Sequence, residues 1–470
     1  MRARCWMTLA WIGAAAAVIA QEAPYPVFET DFISPGEYQT RREKLKQTLG
    51  PGSMAVFFTN PVQNRSNDVD FQFRADSNFY YLTGFDEPDA ALMVVPDGFE
   101  LNGSRVTEVL FTNVSDSFSL TWLGYRMGPN NAVRLLGVQA ALPNSQFDAT
   151  LKLAAASFNG NGKRIAGNWI PPDPNGGLAR MVRTFQEWKQ AAGFENGINA
   201  QQAVRKMREI KSPAEIQMIK KATEISVLGH LEAMRSIEPG MREYEIGWLV
   251  QYVFGRHGCE YTGYPPICGA GQNSTILHYN TNRKKMESGE IMCMDTAGEY
   301  HGYTADVTRS FPVNGKFSLE QRAIYAVVQR GQAIGIENCR AGVSMGTITQ
   351  KINAAMAEDL IKLGIIKEAS ELRRYYMHGF GHGMGLDVHD PLPNVLAPGA
   401  VLTVEPGIYI KEGSPCDKKW WNIGIRIEDD VVVTTGDPVN LSAGAPRDID
   451  KIERIMAEKG IGNVPIRGGG

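Results

Sequence analysis

The stretch Gly289-Glu-Ile-Met-Cys-Met-Asp295 returns later in the chain as Gly399-Ala-Val-Leu-Thr-Val-Glu405: a glycine, a short apolar run and a closing carboxylate. Apolar runs of this length read as buried strands. Each is followed by a second acid in another β-like segment. Asp306 lies in Ala305-Asp-Val-Thr-Arg-Ser-Phe311, and Glu428 lies in Ile425-Arg-Ile-Glu-Asp-Asp-Val431. Two related halves facing one another would bring Asp295, Asp306, Glu405 and Glu428 together.

Four carboxylates crowd into one buried site only if cations neutralise them, because each unpaired buried charge costs several kcal/mol. Two divalent ions supply that neutralisation. His382 is the natural fifth ligand, since it sits in His378-Gly-Phe-Gly-His-Gly-Met-Gly-Leu-Asp-Val-His389, whose alternating glycines disfavour a helix and leave the backbone unhindered. A donor set of hard oxygens with one imidazole favours manganese, with zinc, cobalt or iron as alternatives. Paired divalent ions activate water and polarise a carbonyl, so the implied reaction is amide hydrolysis.

Nearby residues have plainer readings. Asp429 and Asp430 read as turn or solvent residues beside Glu428. Arg426 and Glu428, two apart on one strand, would share a face and form an ion pair. Gly342-Val-Ser-Met-Gly346 matches a nucleophile-elbow pattern, but it lies between two helices, so Ser344 is read as a helix cap. Neither a H-E-x-x-H pattern nor a P-loop occurs; Gly162-Lys163 and Gly315-Lys316 are followed by Arg164 and Phe317.

Composition narrows the class. The 470 residues carry 51 acidic and 48 basic side chains, a net charge of -3, so no nucleic-acid surface is indicated. The first twenty residues, MRARCWMTLAWIGAAAAVIA, have two early arginines, an apolar stretch and small residues at positions 18 and 20, the pattern of a secretory signal peptide. The apolar run is too short to span a bilayer. The expected product is an exported protein, periplasmic or secreted, without stable membrane insertion. Cys259, Cys268, Cys293, Cys339 and Cys416 remain after cleavage, an odd and sparse set that reads as buried free thiols rather than a disulfide framework.

Along the chain, a helix is expected over 38–49, strands over 54–58, 90–95 and 106–112, and helices over 130–136 and 147–157. Together they make a mixed α/β layer. Residues 170–177 read as a loop, and a boundary is expected near 195–211. There Ser212-Pro-Ala-Glu215 is a capping box opening a long helix. Its expected apolar face is Ile216, Ile219, Thr223, Val227 and Leu231, with His230 a structural residue at its border. Strands from about Tyr261, helices over 319–339 and 347–363, and strands again over 375–435 complete the pattern.

These motifs, with His278, Val404-Glu-Pro-Gly407, Gly424-Ile-Arg-Ile-Glu-Asp-Asp430 and Phe73-Arg-Ala-Asp-Ser-Asn-Phe-Tyr-Tyr-Leu-Thr-Gly-Phe85, resemble the aminopeptidase P and prolidase branch of the pita-bread metallopeptidases. The resemblance implies an α/β N-terminal accessory domain plus an α+β pita-bread catalytic domain with pseudo-two-fold halves. It divides the chain into a leader (1–20), an accessory domain (21–200), a catalytic domain (201–460) and a tail (461–470). It implies Asp295, Asp306, His382, Glu405 and Glu428 as ligands of two metal ions, Asp306 and Glu428 bridging. His278 and His389 would contact the substrate and stabilise the tetrahedral intermediate, and Tyr264 would lie near it. His378 would line the pocket, Arg426 would support the metal shell and Glu405 would shuttle a proton. The implied activity is removal of the N-terminal residue from peptides with proline second, by a homo-oligomer, dimer or tetramer. The alternatives are a dipeptidase confined to Xaa-Pro dipeptides and a non-catalytic binding module.

Overall fold

The computed structural model describes residues 25–157, 164–167, 170–192 and 195–464. The leader and the Gly162-Lys163 pair lie outside them. No helix among the described residues is long and apolar enough to cross a membrane.

The strand Ser53–Phe58 organises the N-terminal layer. All six of its residues are buried, and its side chains alternate between two cores. Ala55 and Phe57 face the helices Pro35–Leu49, Ser77–Thr83 and Gly128–Leu136, whereas Met54, Val56 and Phe58 face Phe147–Ala156 and Gly176–Ala192. Burial on both faces explains why this run is continuously apolar. It pairs antiparallel with Ala91–Leu101 and parallel with Arg164–Gly167, near the centre of a six-stranded mixed sheet.

The short helix Ala200–Arg208 leads out of this layer, and Ser212 then opens the helix Pro213–Ser236. The capping box forms reciprocally: the Glu215 amide donates to the Ser212 hydroxyl at 3.2 Å, and the Ser212 amide to the Glu215 carboxylate at 3.0 Å. Ile219, Thr223 and Val227 are buried as the spacing predicts, but Ile216 and Leu231 are only half-buried. Ala222, Ile225, Ser226, Gly229, His230 and Ala233 are buried as well. The helix is therefore enclosed on more than one stripe, because the helix Glu243–Arg256 and the strands Gly298–Tyr300 and Tyr303–Thr304 pack around it. His230 is structural, its Nε2 lying 3.0 Å from the Thr296 carbonyl.

The repeated motif becomes repeated structure. Gly289 and Gly399 share a φ of +89°, a conformation open to glycine, and each turns the chain into a strand. Ile291–Asp295 pairs antiparallel with Thr308–Pro312, setting Asp295 opposite Thr308. Val401–Val404 pairs in the same sense with Asp429–Val432, setting Val404 opposite Asp429. Helix pairs Pro213–Ser236 with Glu243–Arg256, and Leu319–Asn338 with Met345–Lys362, precede the two strand pairs. Residues 375–400 depart from the expected strands. They run as loop, with isolated bridges joining Gly383 to Asp390 and Leu402, because glycines and Pro391, Pro393 and Pro398 cannot sustain a ladder. Ser344 is a helix cap, accepting from the Thr347 amide at 3.1 Å. The five described cysteines are free thiols, four of them buried.

Ion pairs join the layers. Arg74 reaches Glu299 at 2.9 Å, and His301 clasps the N-terminal segment, with Nδ1 2.7 Å from Glu260 and Nε2 3.1 Å from Asp31. The Phe32 ring stacks on it at 4.0 Å. Burial would push the His301 pKa down, but Glu260 and Asp31 outweigh it and the value is raised. The clasp thus stabilises the fold fully below the ordinary histidine value of about 6.5 and is lost as pH rises through the raised value. Asparagine tolerates the positive φ of 48° at this position. His301→Asn should therefore lower Tm more at pH 6 than at pH 9 in thermal unfolding, and equal losses at both would disprove the clasp.

Candidate metal centre

The glycine-spaced loop of His378 to His389 is zipped to the strand Val401–Val404 by main-chain bonds. The Thr403 amide donates to the His382 carbonyl at 2.9 Å, and the Glu405 amide to the Phe380 carbonyl at 2.7 Å. A Cβ at position 381 would overlap the Thr403 carbonyl, so glycine permits this approach. His382 and Glu405 are thereby set side by side, with Nε2 3.5 Å from Oε1.

The first half delivers its acids opposite. Asp295 ends its strand, and Asp306 lies just before Thr308–Pro312. The Tyr264 hydroxyl lies 2.5 Å from Asp295 and 2.6 Å from Asp306, its single proton shared between them. Asp306, His382 and Glu428 present donor atoms all within 4.8 Å of one another. All five residues expected as ligands thus converge.

Electrostatics describes a site built for cations. Burial, reinforced by the neighbouring carboxylates, pushes Asp306 and Glu428 well above the usual carboxylate range. Burial and Asp295 lift Glu405 to about 7 against the pull of Arg426. Among the described residues, Arg426 is the one guanidinium paired with a carboxylate group of the four, meeting Asp295 at 2.7 Å, so acids outnumber the cations beside them. His382 is held down to about 4, first by burial and then by His389. Its Nδ1 lies 3.0 Å from the Gly383 carbonyl, so the neutral ring donates there and offers the Nε2 lone pair to the cluster. Oxygen donors with one imidazole fit divalent ions.

A polar lattice holds these groups. Arg426 donates to Thr308 at 3.1 Å and to Tyr409 at 2.9 Å; the Thr308 hydroxyl donates to Glu428 at 2.6 Å. The Tyr409 hydroxyl lies 2.9 Å from His378 Nε2. Arg426 and Glu428 do not form the expected pair: the strand Ile423–Arg426 ends first, and Thr308 stands between them. Asp429 and Asp430 are fully buried, contrary to the solvent reading. Asp429 pairs with buried Arg309 at 2.5 Å, and Asp430 accepts from Thr223 at 2.8 Å and from the Asp306 amide at 3.2 Å. Thr308 and Tyr409 carry no charge and so have no signature in the sequence, although Thr308 lies inside the motif that supplies Asp306 and Tyr409 lies two residues beyond the one that supplies Glu405.

The His389 ring lies tilted by 31° against that of His382, with centroids 3.9 Å apart. His278 is exposed on a turn, near enough that its charge helps depress His378 and His389 after burial. Glu29, Glu260 and His301 also cluster, but both His301 nitrogens already face Glu260 and Asp31, which makes that group a clasp.

Two family models match: "Metallopeptidase family M24" over residues 217–435 and "Aminopeptidase P, N-terminal domain" over residues 38–160. The Xaa-Pro aminopeptidase of Escherichia coli is 36% identical over 441 residues, covering 90% of this chain and 98% of that protein. The chain belongs to metallopeptidase family M24. The Haemophilus influenzae Xaa-Pro aminopeptidase is 34% identical, with 89% and 97% covered. A solved structure of E. coli aminopeptidase P with the inhibitor Pro-Leu superposes with a TM-score of 0.82 at 35% identity, over 91% of this chain and 99% of that one. The M24 assignment makes the chain a hydrolase that uses divalent metal ions, with the expected accessory and pita-bread parts.

Removing the ions leaves acids whose pKa values are raised, so the bare fold is destabilised above those values and relieved as pH falls towards the ordinary range. Chelation should lower Tm by about 5 °C at pH 8 and by less at pH 6. An unchanged Tm at both pH values would refute the cluster as an ion site.

Proposed function

We propose that this M24 enzyme is an Xaa-Pro aminopeptidase, removing the N-terminal residue from peptides with proline second. The observation that carries the reading is the convergence of four carboxylates, three of them buried, and His382 in a chain that aligns across 98% of an Xaa-Pro aminopeptidase. An Xaa-Pro bond is a tertiary amide without an N–H, and the proline ring fixes φ near about -65°. Enzymes that bind an extended strand through that amide read it poorly; a site that addresses the carbonyl does not need it.

Asp295, Asp306, His382, Glu405 and Glu428 would hold two divalent ions, proposed as manganese from the oxygen-rich donor set. Once bound, the ions supply Lewis acidity toward the scissile carbonyl and toward water. The chain's own groups do the rest. Tyr264 ties Asp295 to Asp306, and Arg426 fixes Asp295 while orienting Glu428 through Thr308. Glu405, within 3.7 Å of His378 Nδ1, carries a proton from water toward the departing proline nitrogen. His278 and His389 stand at the exposed edge, where a donor N–H meets the carbonyl oxygen as charge develops. His378, held neutral near 4 first by burial and then by Arg426, lines the pocket. Residues 1–20 support export to the periplasm or medium, and a homo-oligomer is proposed as the working form.

A cleavage panel with metal-loaded enzyme tests the substrate class. Ala-Pro-Xaa-Xaa tetrapeptides should be cleaved at least about a hundredfold faster than Ala-Ala counterparts, the scale set by losing a shaped transition-state contact. Comparable rates would end the proline claim. Faster turnover of Xaa-Pro dipeptides than of tetrapeptides would favour the dipeptidase instead.

A further inference from the structure

The loop between His382 and His389 is held both from the accessory domain and from the segment that joins it to the catalytic domain. Asp390, next to His389, donates its amide to the Gly383 carbonyl at 2.8 Å, and Gly383 follows His382. That bond closes the loop that carries the two histidines. The Asp390 carboxylate accepts from the Asp387 amide at 3.1 Å and is fully buried with Lys211, 2.9 Å away.

Arg208 completes the arrangement. It ends the helix Ala200–Arg208, and its side chain is 2% exposed. The two guanidinium Nη atoms reach three acceptors: Asn78 Oδ1 at 2.7 Å, Asp387 Oδ2 at 2.6 Å and Asp390 Oδ1. Asn78 and Ser77 belong to the accessory-domain helix Ser77–Thr83, and Ser77 donates to the other Asp387 oxygen at 2.6 Å. Two cations, Arg208 and Lys211, thus face two carboxylates, Asp387 and Asp390, and the charges balance without any contact to the ion cluster.

We propose that Arg208 is a positioning residue for the reaction: through Asp387 and Asp390 it ties accessory-domain docking to the placement of His389 against the substrate. The inference rests on the reading of His389 as a substrate contact. A planar fork is needed, because a lysine ammonium keeps the charge but cannot span Asn78 and two carboxylates in fixed directions.

The test is a double-mutant cycle on an Ala-Pro tetrapeptide, with Tm and bound divalent ion measured on the same metal-loaded preparations. Arg208→Lys should lower kcat about tenfold or more while ion content stays at the parent level, the scale of a sub-ångström misplacement. Combined with His389→Ala, it should slow the enzyme no further than His389→Ala alone, since nothing remains to be positioned. Factors that multiply in the double variant overturn the proposal, as does an Arg208→Lys rate within twofold of the parent. Where Arg208→Lys fails to fold or loses ions, Asp387→Asn takes its place in the same cycle, because Asp390 keeps both of its cations. A fully active His389→Ala variant refutes the substrate role of His389 and the inference with it; a slow His389→Ala variant with multiplying factors refutes the inference alone.

Discussion

The catalytic domain is arranged around the repulsion of four carboxylates, with Asp295, Asp306 and Glu428 buried and Glu405 half-buried. Left to themselves, Asp306, Glu405 and Glu428 would take up protons, as their raised pKa values express. One guanidinium, Arg426, cannot neutralise four acids. The fold resolves this by fixing the backbone at each acid: Asp295 closes its strand ladder, while the amides of Asp306, Glu405 and Glu428, beside strand ends, donate to Asp430, the Phe380 carbonyl and the Thr308 carbonyl. Rigidity at the cost of electrostatic strain is what suits the cluster to receive cations.

The pseudo-symmetry is the economical route to such a cluster. One strand pair contributes Asp295 and leads Asp306 in; its counterpart contributes Glu405 and Glu428. The halves meet through bonds that cross between them. The Glu428 amide donates to the Thr308 carbonyl at 3.0 Å, and the Arg426 amide to the Ser310 hydroxyl at 3.1 Å. Arg309 donates to the carbonyls of Thr308 and Glu428 while pairing with Asp429. A buried pair of this kind matters through what its loss would leave unpaired, and here that includes backbone on both sides of the ion site.

How much of this could be read from the sequence follows the range of the forces involved. The strands around Asp295 and Glu405, the Ser212 capping box and the cap at Ser344 are local, and their patterns were legible. The glycine-spaced loop was legible as a loop, yet the stretch after it was read as strand, because apolar content alone does not reveal that prolines deny it ladder donors. Asp429 and Asp430 were misread for a different reason. Their burial depends on Arg309 and Thr223, each more than a hundred residues away, and no local pattern carries that information. Tyr409 and Thr308 escaped because uncharged bridging residues have no signature of their own.

The histidine loop shows why the site depends on backbone as much as on side chains. His382 is placed by its own carbonyl, which accepts from the Thr403 amide, and by its amide, which donates to the Thr403 hydroxyl at 3.1 Å. Glu405 is placed two residues further along the same strand by the Phe380 carbonyl. The imidazole and the carboxylate are therefore set side by side by a ladder that any side chain at position 381 would push apart. A substitution there would displace two groups of the ion site at once while touching neither. The glycines of this loop are thus part of the chemistry in a physical sense: they let main chain meet main chain closely enough for the strand's register to fix the geometry of the centre.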